Sequence, residues 1–290
     1  FIYRGVIVKF KNATSFKNRI KKIAQEKNIP AQQVQQNYLI EEVLKLLSKS
    51  RYKNSFVIKG GFLIGQLLGL DKRTTMDLDT TLKGKKLSEQ SLLEIFSEIL
   101  EEQDGLVTFT YKVDSVVAIR AEDQYGGFTL KLVATYETLK EVVYIDITTG
   151  DSLTPSEISY RFSSLFNDEE LSIQAYNIET VLAEKIETVI SRAEASTRPR
   201  DRYDIYNLYQ LRQNELDLAI LKRAIQNTFA ARESTEILLN WRVSIKKLKE
   251  SDYQKEMWRR YQKGFRYARG LAFEEPIETI ETILTQLFHD

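Results

Sequence analysis

The chain contains no cysteine and a single histidine, His289, among its 290 residues. The absence of cysteine excludes disulfides, thiolate nucleophiles and cysteine-ligated zinc, and it fits a reducing cytoplasm. One histidine beside the C-terminus leaves no candidate for a Ser-His-Asp triad or a histidine-rich metal centre. Chemistry in this chain must therefore rely on carboxylates, lysine, arginine, hydroxyls and a bound metal.

Long apolar runs are also absent: no stretch reaches the roughly eighteen residues that suggest a membrane span, so we expect no membrane partner. The net charge is only +1, but residues 191–269 hold 18 Lys/Arg against 10 Asp/Glu, a net of +8. Such a region is either an ordinary solvated helical surface or a binding surface for a polyanion. Residues 1–7 match no pattern, and we expect a vector remnant or an over-extended gene start.

Periodicity and punctuation divide the chain into two parts. The first part alternates helix and strand, and from Ile178 onward the sequence reads as mostly helical. We expect a domain of residues 10–165 and a helical domain of residues 166–290. Helices are predicted at 16–26 (with Thr14-Ser15 as the N-cap), 30–47, 62–70 and 88–102, and strands at 55–58, 76–82, 107–113, 116–121, 128–135 and 142–147.

The segment from Lys59 to Asp79 carries the strongest signal in the chain. Gly60-Gly61 forms a paired-glycine turn, a helix length of apolar sequence follows, and Asp77 and Asp79 then stand two residues apart. Because side chains alternate faces along a strand, both carboxylates point the same way. Two hard oxygen ligands on one face can hold Mg²⁺ against a nucleotide's phosphates, and glycines let the backbone approach those phosphates.

Asp146 is a further acidic residue within a predicted strand, and its apolar neighbours Ile145 and Ile147 have little other use for a charge. It could be a third carboxylate of the same site. It could instead be a strand-end aspartate that caps the next turn. Asp151 reads as a turn residue, although a different register would let it take this role.

The order strand, Gly-Gly turn, helix and strand with Asp-x-Asp resembles the core of the DNA polymerase β-like nucleotidyltransferase superfamily. The resemblance narrows further downstream, where Lys185 is followed by Arg198-Pro199-Arg200-Asp201-Arg202-Tyr203-Asp204. Together with the Gly-Gly turn and the Asp-x-Asp motif, this downstream segment makes residues 13–210 resemble the AbiEii/AbiGii toxin family. The resemblance implies an α+β fold: a mixed sheet flanked by helices, preceded by N-terminal helices and followed by a mostly helical domain.

The residues of the second half also make physical sense without the resemblance. Asp201 and Asp204 are three apart, so they share one helix face, and Pro199 places Asp201 in a first turn where the helix dipole favours negative charge. A lysine on an adjacent helix could neutralise triphosphate charge. Alternatively, Lys185 and Asp201 form a buried ion pair that ties two helices together; both can hold at once.

The resemblance implies a cytoplasmic toxin of a toxin–antitoxin or phage abortive-infection system. It would transfer NMP from an NTP to an acceptor. The leading acceptor is RNA, at a tRNA 3′ end, and the alternatives are a protein hydroxyl or a small molecule. A cognate antitoxin would be a partner. Mg²⁺, with Mn²⁺ as an alternative, would be the cofactor. The implied catalytic residues are Asp77, Asp79, Asp146, Lys185 and Asp201, with the first three as metal ligands; the implied nucleotide-binding residues are Gly60, Gly61, Arg73, Thr75 and Asp204.

Two other classes of protein remain open at this point. Met76-Asp77-Leu78-Asp79-Thr80-Thr81-Leu82 also resembles the haloacid dehalogenase phosphatase signature, in which Asp77 would be the nucleophile. Against it, a polar segment precedes the motif, Thr80 replaces the signature glycine, and Gly60-Gly61 is left unexplained. The third class is an inactive binding protein on the transferase scaffold, although all the candidate metal ligands are present.

Overall fold

The computed structural model describes residues 10–119, 126–166 and 169–288, which form two compact units. The sheet unit contains the described residues up to Gly150 together with Ile158–Ala175, and the helical unit contains Asp151–Glu157 and the described residues from Tyr176 onward. Residues 1–7 and His289, considered above, lie outside the described residues. In the ranges that are described, no helix is both long and apolar enough to cross a membrane.

A seven-stranded mixed sheet forms the centre of the sheet unit, in the order β3-β4-β5-β2-β1-β7-β6. β2 pairs parallel with β5 and antiparallel with β1, and β1 pairs parallel with β7. The strands are β1 (Phe56–Lys59), β2 (Asp77–Leu82), β3 (Thr110–Ile119), β4 (Gly127–Tyr136), β5 (Leu139–Thr148), β6 (Ile158–Ser163) and β7 (Glu170–Ala175). The central position of β2 places Asp79 between the neighbouring strands β1 and β5.

Four helices belong to the sheet unit: α1 (Ala13–Lys27), α2 (Ala31–Lys49), α3 (Gly60–Leu68) and α4 (Glu89–Glu101). Ser88 caps α4 through a hydrogen bond from the Ser91 amide. The predicted cap of α1 is wrong, because Asn12 rather than Thr14 or Ser15 accepts the amide of the first turn. α3 begins at the glycine pair itself, two residues earlier than predicted.

The helical unit contains seven α-helices in its described residues. They are α5 (Ile178–Arg192), α6 (Pro199–Arg212), α7 (Leu218–Ala231), α8 (Thr235–Leu239), α9 (Trp241–Glu250), α10 (Asp252–Gly264) and α11 (Glu274–Leu287). α5 packs against α6 and α7, and α6 packs against α11. The α+β fold class expected from the sequence is therefore confirmed.

The strands differ from the prediction at two places. The predicted strands 107–113 and 116–121 are one strand, β3, whose pairing with β4 shifts register between Val113 and Ser115; the last two predicted residues lie outside the described ranges. This bulge breaks the alternation that sequence patterns rely on. β6 and β7 were not predicted. β7 reaches Ala175, ten residues past the predicted domain boundary, which itself stays a prediction.

Candidate active site

Three carboxylates share one face of the sheet. Asp77 and Asp79 lie two residues apart on β2, and Asp146 on the neighbouring parallel strand β5 is the direct register partner of Asp79. Partners in register project to the same face, so the third candidate lies beside the first two. All three residues are partly exposed. The structure thus brings together the three residues that the sequence analysis proposes as metal ligands.

Each of these carboxylates is held by a neighbouring donor. The Thr75 hydroxyl donates to Asp77, the Thr129 hydroxyl donates to Asp146 Oδ1 at 2.6 Å, and the Gly61 amide donates to Asp79 Oδ2 at 3.2 Å. Thr129 lies on β4 and is the register partner of Asp146. Burial, and next the charge of Asp77, raise the pKa of Asp79 against the lowering effects of the Gly61 amide and Lys59.

The glycine pair lies directly against this face. Gly60 has φ +65°, and a Cβ at Gly60 would overlap the Asp79 carboxylate and lie 2.5 Å from its Cγ. A Cβ at Gly61 would lie 2.6 Å from Thr75 Oγ1. The two glycines therefore let the start of α3 approach the carboxylates. The sequence indicates only a phosphate contact for the glycines and does not reveal this packing requirement.

Arg73 lies behind the glycine pair. Its side chain is buried, its guanidinium donates to the Thr74 carbonyl, and a Cβ at Gly61 would come within 3.2 Å of its Nη2. Gly65, one turn further along α3, faces the Arg73 carbonyl oxygen. The glycine face of α3 thus packs on the segment that leads into β2. The phosphate contact proposed for Arg73 stays a prediction.

Lys59 is a cation of this face that sequence reasoning did not select. It is the last residue of β1 and the register partner of Asp79. Its ammonium donates to Thr148 Oγ1 on β5 at 2.8 Å. The position of Lys59 next to the glycine pair was a visible signal, whereas the roles of Thr129 and Thr148 depend on strand register, which no local pattern reveals.

The donor chemistry of this face suits a hard divalent cation. Three carboxylates supply oxygen ligands of the kind that Mg²⁺ prefers, and bound positive charge would stabilise the ionised form of Asp79, whose pKa is raised. As these side chains stand, however, no group of three or more acidic or imidazole side chains within the described ranges is arranged to hold a metal ion. We therefore assign the ligands by donor type and by shared face.

The second group of predicted residues lies within the helical unit. The Lys185 ammonium, on α5, is 2.6 Å from Asp201 Oδ1 and 2.8 Å from Asp204 Oδ2, both on α6. The Asp204 side chain is fully buried, and the other two side chains are nearly so. Asp201 is in the first turn of α6, which begins at Pro199 as predicted. The ion pair that the sequence analysis left open is therefore present.

A comparison with protein-family models identifies the chain's relatives. Residues 42–285 match the family described as nucleotidyl transferase AbiEii toxin, type IV TA system. The chain belongs to this family. It is therefore a nucleotidyltransferase of a toxin family, with a nucleotide as substrate and an antitoxin as the implied partner. AbiEii membership confirms the predicted resemblance and decides against the phosphatase and the inactive binding protein.

Three solved structures are similar to this AbiEii chain. JHP933 from Helicobacter pylori has 14% sequence identity and a TM-score of 0.45, over 88% of this chain and 91% of that chain. A provisionally assigned nucleotidyltransferase from H. pylori has 13% identity and a TM-score of 0.47, over 89% and 96%. An antigenic nucleotidyltransferase-like protein from Paracoccidioides brasiliensis has 17% identity and a TM-score of 0.37, over 73% and 94%. No curated protein matches the chain.

Proposed function

We propose that this AbiEii-family toxin transfers NMP from an NTP to the 3′ end of a tRNA, in a Mg²⁺-dependent reaction in the cytoplasm. The toxin would act in abortive phage infection and be counteracted by its antitoxin. The observation that carries the proposal is the alignment of Asp77, Asp79 and Asp146 on one face of the sheet, against a glycine pair. This arrangement suits the binding of a triphosphate through a divalent metal.

Asp77, Asp79 and Asp146 would hold Mg²⁺, or Mn²⁺ as the alternative. When bound, the metal would neutralise phosphate charge and make the attacking hydroxyl more acidic. Gly60, Gly61 and Thr75 would contact the phosphates, because they border the same carboxylates. The phosphate contacts proposed for Arg73 and Asp204 rest on the family resemblance alone.

The chemical step is an in-line displacement at the α-phosphorus. The acceptor hydroxyl oxygen forms a bond to the α-phosphorus, the bond to the oxygen that bridges the α- and β-phosphates breaks, and pyrophosphate leaves. The hydroxyl proton passes to Asp146, whose Oδ1 is already oriented by Thr129. The charge-neutralising role proposed for Lys185, which pairs with Asp201 and Asp204, rests on the family resemblance alone.

The charge of the helical unit supports a nucleic acid as acceptor. Residues 191–269 carry a net charge of +8, and three exposed cations, Arg259, Arg260 and Lys263, follow one another along α10. A phosphodiester backbone is attracted to such a surface at low salt. Arg259 and Arg260 both pair with Glu256, which partly compensates two of these three charges. Because the net charge of residues 191–269 is still +8, RNA fits the unit better than a neutral small molecule does.

The experiment that tests this function incubates the purified protein with total RNA and each NTP in turn, labelled at the α-phosphate. We expect label in a tRNA-sized band with one or more of the four NTPs, only when Mg²⁺ or Mn²⁺ is present. Asp79→Asn should abolish labelling, whereas Asp114→Asn, on the edge strand β3, should not. Labelling of protein instead of RNA, or labelling that persists in chelator, would contradict the proposal.

A further inference from the structure

Lys59 lies in one row with two of the carboxylates across three adjacent strands. In the antiparallel pairing of β1 with β2, Lys59 is directly opposite Asp79, and in the parallel pairing of β2 with β5, Asp79 is directly opposite Asp146. Residues paired in this way project to one face of a sheet. Lys59 therefore adds a positive charge to the face that carries the three carboxylates.

The hydrogen bond of Lys59 fixes where its ammonium lies. Nζ donates to Thr148 Oγ1, 2.8 Å away, although Lys59 starts from β1 and Thr148 is on β5. β2 runs between these two strands, so the lysine side chain must cross the face of β2. Thr148 is the register partner of Thr81, two residues beyond Asp79. The ammonium consequently lies over the carboxylate face, next to Asp79.

The turn after Lys59 is the one proposed to meet the phosphates. Lys59 is the N-cap residue of α3 and has no side-chain capping role, and the helix begins with Gly60 and Gly61. A lysine is a flexible point charge that can leave a neutral hydroxyl for a phosphate oxygen, because the charged pair is the stronger interaction. Binding of a triphosphate to three carboxylates otherwise adds negative charge to negative charge.

We propose that Lys59 binds the terminal phosphates of the nucleotide and exchanges its hydrogen bond to Thr148 for a contact with the β- or γ-phosphate. This inference rests on the proposed function, since it assumes that the nucleotide occupies the carboxylate face. Lys59 thus supplies a cation for the triphosphate from the sheet unit. It sets the affinity for nucleotides that carry β- and γ-phosphates over NMP and nucleoside.

The test measures the binding of a series of nucleotides with fewer and fewer phosphates, which is called the binding ladder below. RNA is left out, so that no transfer takes place. Equilibrium dialysis with Mg²⁺ measures Kd for the NTP, NDP, NMP and nucleoside of one base, in the wild type and in Lys59→Met, Lys59→Arg and Lys140→Met. Lys140 is an exposed lysine at the start of β5 and serves as the matched control. Thermal unfolding of each variant verifies that the fold is retained.

We expect Lys59→Met to weaken NTP binding about ten- to hundredfold, as for loss of a charged hydrogen bond. The loss should be no larger for NDP and absent for NMP and the nucleoside, while Lys59→Arg restores most of the affinity and Lys140→Met changes none. An equal loss at every step of the ladder would overturn the proposal, because it indicates a structural role for Lys59. Unchanged NTP affinity in folded Lys59→Met would overturn it too. A wild type that binds no nucleotide contradicts the proposed function itself.

Discussion

Gly60 and Asp79 are in such close contact that no side chain fits between them. A Cβ at Gly60 would overlap the Asp79 carboxylate, and the backbone of Gly60 has φ +65°. Glycine is required here for two separate reasons. Its backbone is in the left-handed conformation, and the Asp79 carboxylate leaves no room for a Cβ. The start of α3 and the acidic end of β2 therefore form one structural element of the site.

Gly60→Ala separates these two causes when it is compared with Gly84→Ala. Gly84 has a similar φ of +69° but no atom within 4 Å of an added Cβ. Gly84→Ala should cost about 1–2 kcal/mol of unfolding free energy and keep transferase activity. Gly60→Ala should cost more and abolish activity, because Asp79 must move. Urea unfolding and the transfer rate measure both effects, and equal behaviour of the two variants would contradict the packing argument.

Asp79→Asn should remove transfer without loss of stability. Burial and the nearby Asp77 raise the pKa of Asp79, so the ionised carboxylate is not a source of folding free energy. The amide retains an oxygen that can accept the Gly61 hydrogen bond, but it lacks the charge that a metal ligand needs. We expect the Tm of the variant to equal or exceed that of the wild type. Growth inhibition that persists in folded Asp79→Asn would refute the assigned role.

Lys185→Met tests whether Lys185 is more than a structural cation. The substitution removes the ammonium that both buried carboxylates, Asp201 and Asp204, contact, so we expect a loss of about 3–5 kcal/mol. Combining it with Asp201→Asn and Asp204→Asn should recover most of that stability.

If Lys185 acts on the transferred phosphate, the recovered triple variant stays inactive. Lys185→Arg, which retains the charge, should remain folded and is the companion control. A stable triple variant with wild-type transfer would show that the lysine serves only to tie α5 to α6.

The buried carboxyl of Glu41, on α2, makes the stability depend on pH. Burial raises the pKa of Glu41 to about 7, although Ser164, the Leu165 amide and Asn37 all donate to it. The folded chain keeps this proton up to about pH 7, whereas the unfolded chain releases it near 4.5. The stabilisation is therefore fully present below pH 4.5 and is lost as the pH rises to 7.

Glu41→Gln should remove this dependence. Between pH 5 and 7 the unfolding free energy of the variant, relative to that of the wild type, should increase by up to about 1.4 kcal/mol per pH unit. Denaturant unfolding at pH 5, 6 and 7 measures the two profiles. Parallel profiles would mean that Glu41 titrates alike in the folded and unfolded chain.

The sequence predicts the local parts of the site well, because they follow from periodicity. The side chains of Asp77 and Asp79 share a face since strand residues alternate, and Asp146 stands out as a charge among apolar neighbours. Pro199 marks the start of α6 in the same way. What these patterns lack is register, the pairing of residues far apart in the chain.

Three features depend on register and could not be predicted. Thr129 holds Asp146 because β4 pairs with β5 at that position. Lys59 reaches Thr148 across β2, the strand between β1 and β5. β7 joins the sheet beside β1, although more than a hundred residues separate them along the chain. The strand itself alternates polar and apolar residues, which is a visible signal, but its pairing with β1 is not visible in the local sequence.

In the proposed reaction, the α-phosphate of an NTP is transferred to an acceptor hydroxyl at the carboxylate face. The most direct measurement compares two labels in the same NTP, one at the α- and one at the γ-phosphate, with tRNA and Mg²⁺. We expect the α-label to enter tRNA while the γ-label appears only in pyrophosphate, and Asp79→Asn to stop both events. Transfer of the γ-label to tRNA, or its release as inorganic phosphate with no α-label transferred, would contradict it.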